Sequence, residues 1–230
     1  FGVRLDGSLA WASTLDREPN AESAFGFAVS HQGLLAVSTG ECPHNLYANV
    51  RTQLHLRRAH DGASAFRLRT GAMNLPPALS ADSIVYQLDQ YNTLRALGAL
   101  GDVLWTVDLP GFGSTPPVLA PDGTLFVATD GQVLGHRAIW AVSARGPVLW
   151  NRGDGILVRL AADLDGRLYG LDANIEIGGR PVGPVRLVSY TPSGDVRWRR
   201  EIPEWTFAGQ ADTLVLGPAG PVLRTADAVL

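Results

Sequence analysis

A chain of 230 residues with 46% hydrophobic and 18% charged residues can form one large domain and carries no compositional sign of disorder. Its formal net charge of -3 lacks the clustered positive charge of a nucleic-acid binder, and its single cysteine excludes an internal disulfide. At this length about 70% of the unfolded chain's surface is removed from water on folding, so neither a disulfide nor a metal is needed to hold a core. No apolar run reaches the roughly 18 to 20 residues of a membrane-spanning helix.

Along the chain, two phrases alternate. The first is an apolar alternating stretch, a Gly turn and an aromatic: VRLDGSLAW closes on Trp11, LRRAHDGASAF on Phe66, LRALGALGDVLW on Trp105, AVSARGPVLW on Trp150 and LVSYTPSGDVRW on Trp198. The second is a strand, a small turn and another strand. It reads FAVSHQGLLAVS, then PPALSADSIVYQLD, PPVLAPDGTLFVATD, VRLAADLDGRLYGLD and VLGPAGPVLRTAD. Alternation with β-branched and aromatic residues between Gly, Pro and Asp turns predicts strands, and helical periodicity is absent over any useful length. Each unit thus holds four short strands, with a period of about 45 residues. A tandem four-stranded unit of that length is the signature of propeller blades, because one twisted sheet buries its faces only when neighbours stack on it.

The pattern xPxxxxDGxLYVxxD followed by xLxAxxxxGxxxW resembles the PQQ-like (quinoprotein-type) β-propeller repeat, most closely from Pro117 to Trp150 and from Leu157 to Trp198. The resemblance covers nearly the whole chain and implies an all-β fold of four-stranded antiparallel blades. It also implies that Trp11, Phe66, Trp105, Trp150 and Trp198 pack between adjacent blades. The expected organisation is a single β-propeller domain over residues 1–230. Its blades fall near 17–70, 71–110, 111–153 and 154–201, with a fifth made of 202–230 and 1–15. Two arrangements satisfy this: a five-bladed ring closed by pairing of the termini, or a fragment of a seven- or eight-bladed propeller. The opening Phe1-Gly2-Val3-Arg4, without an initiating methionine or a signal-peptide pattern, reads as an excised piece.

In such a blade the turns after the first and third strands lie on one face, and the loops after the second and fourth lie on the other. The first set is tight and repetitive, as in His31-Gln32-Gly33, Pro121-Asp122-Gly123 and Ser193-Gly194-Asp195, and turn chemistry accounts for it. The second set is long and dissimilar, running over 41–53, 130–137, 172–184, 16–23 and 110–115. That is the face expected to carry function. An acidic residue recurs there at the end of each second strand: Glu41, Asp89, Asp130, Asp172 and Asp227. These carboxylates form either a partial ring that attracts a cation or a basic partner, or a set of local turn caps.

Other chemistry is thinly represented. Asp163-Leu164-Asp165-Gly166 resembles the start of a calcium loop, but the remaining ligands do not follow, and a strand turn explains it better. His31, His44, His55, His60 and His136 lack zinc-ligand spacing, and Cys42 has no second cysteine near it. No GxSxG elbow or phosphate loop occurs. The expected function is therefore a non-catalytic binding or scaffolding propeller that uses its loop face for a protein or peptide partner. The alternative is a fragment of a PQQ-dependent dehydrogenase or another propeller enzyme. No catalytic, cofactor or metal residue is assigned, because the ligand set for PQQ and calcium that the resemblance implies cannot be mapped onto this chain. Nucleic acid is not an expected partner, and the resemblance implies a bacterial protein exported to the periplasm or cell surface.

Overall fold

The computed structural model describes residues 2–3, 6–12, 23–40, 52–70, 75–89, 91–113, 115–130, 138–153, 157–172, 183–202, 213–217 and 220–224. All regular structure among them is β-strand. The chain divides into two compact units, residues 1–109 and 110–230.

The first unit opens with a two-stranded sheet of β1 (Gly2–Val3) and β2 (Leu9–Trp11). A four-stranded meander follows: β3 (Ser23–Val29), β4 (Leu34–Gly40), β5 (Thr52–Arg58) and β6 (Ser64–Thr70). The next meander comprises β7 (Ala78–Leu79), β8 (Val85–Leu88), β9 (Thr93–Leu97) and β10 (Val103–Asp108). In the second unit, β11 (Phe112–Gly113) and β12 (Val118–Leu119) both pair with β13 (Thr124–Asp130), which continues into β14 (Ala138–Ser143) and β15 (Val148–Arg152). Then come β16 (Leu157–Ala162), β17 (Leu168–Asp172), β18 (Val185–Tyr190) and β19 (Val196–Ile202). A two-stranded sheet of β20 (Thr213–Gly217) and β21 (Gly220–Arg224) completes the unit. Every pairing is antiparallel and all but β11–β13 join sequential strands, so the fold is all-β and its complete sheets are the four-stranded blades that the repeat predicts, one of them extended by β11.

Tight turns set the register. In the turn before β4, the N–H of Ser30 donates to the carbonyl of Leu34 and that of Gly33 to Ser30. The same pair of bonds recurs around Gly101, Gly123, Gly146, Gly166 and Gly194, each at positive φ. A hairpin whose last loop residue is left-handed favours a residue without Cβ there, which is why the sequence punctuates most of these turns with glycine. Ser83 fills that place in the turn between β7 and β8 at φ 66°, its hydroxyl donating to Oε1 of Gln32.

Each complete sheet then places one row of side chains across its second, third and fourth strands. The rows are Tyr86–Ala96–Trp105, Phe126–Ala141–Trp150 and Tyr169–Ser189–Trp198. The middle residue is small and fully buried, and the flanking rings meet beside it with centroids 6.0, 5.7 and 6.1 Å apart. Such tilted ring pairs contribute about 0.5–1.5 kcal/mol each beyond the area they bury. The first complete blade fills the same row as Ala36–Leu56–Phe66, moving the bulk from the second strand to the third.

One residue before each fourth-strand aromatic, the ladder slips. Ala65, Leu104, Leu149 and Arg197 have no partner across the sheet, and Ala10 has none in the two-stranded β1–β2 sheet. This bulge twists the strand, and three of the aromatics lie on the next blade's last hairpin turn. There Trp11 lies on Gly62 and donates Nε1–H to the carbonyl of Ala59 at 2.6 Å, while Phe66 lies on Gly101. Trp150 lies on Gly194 and donates Nε1–H to Pro192 at 2.8 Å. The glycine is required twice over, by its positive φ and because a Cβ on Gly194 would stand 2.8 Å from the Trp150 ring. The cores follow from this stacking. Phe126, Ala128, Ile139 and Ala141 pack on Leu168, Val188 and Tyr190 of the following blade, and Tyr169 and Leu171 pack on Leu214 and Leu223.

Two outcomes test this arrangement. Ala141→Leu overfills its row and costs about 2 kcal/mol, whereas adding Phe126→Ala recreates the small–large–aromatic order of the first blade and recovers at least about 1 kcal/mol relative to additivity. A urea-unfolding double-mutant cycle reads both, and additive behaviour overturns the row. Separately, Gly194→Ala costs more than Gly33→Ala by about 1–3 kcal/mol, since Gly33 shares the positive φ but has nothing within 4 Å of its missing Cβ.

Candidate functional site

The recurring carboxylates sit where the repeat puts them, at the ends of second strands. Asp130 and Asp172 are the last residues of β13 and β17, half-buried and paired in the ladder with Phe112 and with Leu157 and Arg186 respectively. Asp89 follows β8 and is only 2% exposed. Glu41 and Asp227 lie outside the described residues, as do Cys42, His44, His136 and most of the long loops of that face.

Asp89 shows how such a carboxylate can be used. Its Oδ1 accepts the backbone N–H groups of Tyr91 and Thr93, at 2.9 and 3.1 Å, and its Oδ2 stands 2.8 Å from Nη1 of Arg95. Its negative charge is thus neutralised by a neighbour on the third strand, and the acceptor positions are occupied by the turn. Three residues on, Asn92 is fully buried at φ 64°, with neither side-chain Nδ2 nor Oδ1 bonded to protein. Sequence reasoning passed over Asn92 and Arg95. The left-handed Asn was the available signal, since Asn tolerates that conformation better than any other residue with a polar head.

The turns of the opposite face use acids similarly. Oδ1 of Asp6, Asp61 and Asp122 accepts the N–H two residues on, from Ser8, Ala63 and Thr124. Asp163 goes further. Its Oδ1 accepts the N–H groups of Asp165 and Arg167, and its Oδ2 accepts the Tyr169 hydroxyl at 3.1 Å. Burial alone would raise the Asp163 pKa, but the Arg167 N–H, the Tyr169 hydroxyl, the Asp165 N–H and the Arg167 charge outweigh it and hold the carboxyl below its ordinary value. Asp163-Leu164-Asp165-Gly166 is thus a self-capped strand turn, and Asp165 is paired with Arg167. Among the described residues no three His, Cys, Asp or Glu side chains converge as metal ligands. His55 is buried, its Nε2 beside the Thr39 hydroxyl at 3.2 Å, and His60 is exposed beside Asp61.

Two clefts open in the second unit. One, of about 380 Å³, is polar and lies at Asn151, Arg152, Gly194 and Asp195, where Arg152 bridges to the Gly194 carbonyl and the Asp195 carboxylate. The other, of about 560 Å³, is mainly apolar and is lined by Leu187, Trp198, Arg200, Glu201, Ile202, Pro221 and Leu223. No membrane-crossing helix occurs among the described residues.

The lowered Asp163 pKa gives a signed expectation. A carboxyl whose folded pKa lies below its unfolded value stabilises the fold fully above the unfolded value, and this contribution is lost as pH falls through the folded one. Asp163→Asn therefore lowers stability near neutral pH by about 1 kcal/mol, and the gap between variant and parent closes as pH drops below about 4. Urea melts across that range measure it, and a gap that is independent of pH overturns the assignment.

A family model described as outer membrane protein assembly factor BamB matches residues 3–224. No curated protein matches the chain in sequence. Solved structures that resemble it include BamB from Moraxella catarrhalis, 16% identical over 96% of this chain and 72% of that one, with a TM-score of 0.55. A gluconolactonase from Xanthomonas campestris is 14% identical over 90% of this chain and 70% of its own, with a TM-score of 0.54. Quinohemoprotein alcohol dehydrogenase from Comamonas testosteroni is 13% identical over 87% of this chain but only 40% of its own, with a TM-score of 0.57. At these identities the likeness is one of fold, shared by an assembly factor and by enzymes.

Proposed function

Because this chain belongs to the outer membrane protein assembly factor BamB family, we propose that it is a non-catalytic β-propeller that holds a protein or peptide partner on the face of its dissimilar loops. The observation that carries the reading is that the residues repeated between blades are used by the fold itself. Asp61, Asp89, Asp122 and Asp163 cap turns, and Trp11, Phe66 and Trp150 cover glycines. Variation is left to the loops after the second and fourth strands, where a rigid scaffold positions residues for recognition. Asp130 and Asp172, half-buried at the roots of two such loops, add negative charge that suits a basic partner segment. The family description suits a place of action at the bacterial cell envelope, in the periplasm or at its outer boundary.

Replacing residues 131–137 and 173–182 with glycine–serine stretches of equal length tests the reading. Capture of envelope proteins by the immobilised chain should fall at least about tenfold, the loss of one good contact set. The same exchange at the tight turn 121–123 should leave capture unchanged. Undiminished capture after loop replacement overturns the proposal. So does retention of PQQ and calcium through desalting, seen as quinone absorbance, which would favour the dehydrogenase alternative.

A further inference from the structure

We propose that the seam between the blade of β3–β6 and the blade of β7–β10 is a conformational joint, hinged beside the first and second strands and opening beside the third and fourth. The seam between the blades of β11–β15 and β16–β19 stays shut under the same conditions. Each seam joins two complete blades inside one compact unit, so the two can be compared position by position. They differ in how the fourth strand is fastened and in what fills the space between the sheets.

In the second unit Trp150 covers Gly194 and donates its indole N–H to the Pro192 carbonyl at 2.8 Å. Two residues on, Arg152 donates from Nε to the Gly194 carbonyl and from Nη2 to the Asp195 carboxylate. The fourth strand is thus bonded to the turn it covers. In the first unit the covering ring is Phe66, which has no donor, and the residue two positions on is Leu68, which packs into the apolar cluster. Two bonds across this seam lie on the side of the first two strands instead. The Ser83 hydroxyl, in the turn between β7 and β8, donates to Oε1 of Gln32 at 2.7 Å, and the Ser38 hydroxyl on β4 donates to the Leu75 carbonyl at 3.2 Å.

The filling follows the same division. Leu54 and Leu56 of β5 pack on Val85 and Leu97 of the next blade. Side chains alternate along a strand, so Gln87, two residues after Val85, lies on that same face with its cross-strand partner Arg95, two residues before Leu97. The matching pair in the β16–β19 blade is Gly170 and Val188, and Val188 belongs to the apolar core of its seam. Gln87 is fully buried, and Arg95 pairs with the buried Asp89. Closing a seam over an amide and an ion pair removes less apolar surface from water and strips hydration from polar groups, so it is favoured less than closing one over aliphatic side chains. The seam of the first unit therefore has the lower opening free energy, and its opening starts where Phe66 alone holds the fourth strand.

Thiol labelling of the full chain, with Cys42→Ser as background, tests the joint. Leu54→Cys and Ile139→Cys place one thiol at matching third-strand positions of the two seams, both buried. Under native conditions Leu54→Cys should react with DTNB at least about tenfold faster than Ile139→Cys, and at least about tenfold faster than Ala36→Cys, which stands on β4 between Gln32 and Ser38. Phe66→Trp supplies the indole N–H that Trp150 uses, and Gln87→Val supplies the side chain that Val127 holds at the same place in its blade. Each should slow labelling at position 54 at least about threefold. Hydrogen exchange on the unsubstituted chain gives a measure that needs no variant to fold: the amide of Gly101, under Phe66, should exchange at least about tenfold faster than that of Gly194, under Trp150. Equal labelling at 54 and 139, or equal exchange at Gly101 and Gly194, overturns the proposal. Equal labelling at 36 and 54 does so too, because it assigns the exposure to unfolding of the whole blade. A rate at 54 that neither Phe66→Trp nor Gln87→Val slows also overturns it.

Discussion

The contact that recurs between blades is an aromatic ring laid over a turn that has no side chain. Trp11 on Gly62, Phe66 on Gly101 and Trp150 on Gly194 join successive sheets with the same geometry. The indole N–H of Trp11 and of Trp150 also satisfies a carbonyl of the turn it covers. A four-stranded sheet alone leaves both faces wet, and this contact seals one face against the next. It needs three local conditions at once: a left-handed residue in the turn, a bulge that re-aims the fourth strand, and a small or exchanged residue in the third strand so that the row can close.

Those conditions explain why repetition in this chain marks architecture and not chemistry. The bulge must precede the aromatic, the glycine must cap the turn, and the row takes its second bulky residue from either the second or the third strand. Ala36–Leu56–Phe66 and Phe126–Ala141–Trp150 are two solutions to one packing constraint, which is why the first blade looks divergent in sequence yet has the same strand pairing. Close-packed interiors punish a change of volume at one position and tolerate its relocation. Carboxylates obey a similar logic. Asp122 and Asp163 recur because each hairpin exposes the same N–H groups to be capped.

Strand number and order were legible from period-two alternation and from Gly and Asp turns, signals that survive in a single sequence because backbone geometry enforces them. The fourth-strand aromatics were legible as structural for the same reason. The bulges were not, since Ala10, Leu104 and Arg197 have no common chemistry and only the ladder reveals that each lacks a partner. Nor was the use of Asp89, because its neutralising Arg95 is six residues on, across a turn whose tightness depends on Asn92 at positive φ. A carboxylate at a strand end looks the same in sequence whether it faces solvent or an arginine.

The bulge also explains how these blades tolerate an exposed fourth strand. β10 and β15 present Val103, Leu104, Val148 and Leu149 to solvent, each 40% exposed or more, on strands that pair on one side only among the described residues. Flat apolar edges of that kind recruit other strands. β19 counters the hazard with charge, through Arg197, Arg199, Arg200 and Glu201. β10 carries a charge only at its far end, Asp108, and the start of β15 has none, so both rely on geometry. The unpaired Leu104 and Leu149 break the ladder and sharpen its twist, so an incoming strand cannot hold register along the whole edge. The device that turns Trp105 and Trp150 inward therefore also blunts the strand that carries them, and the same displaced residue serves stability within the chain and restraint towards other chains.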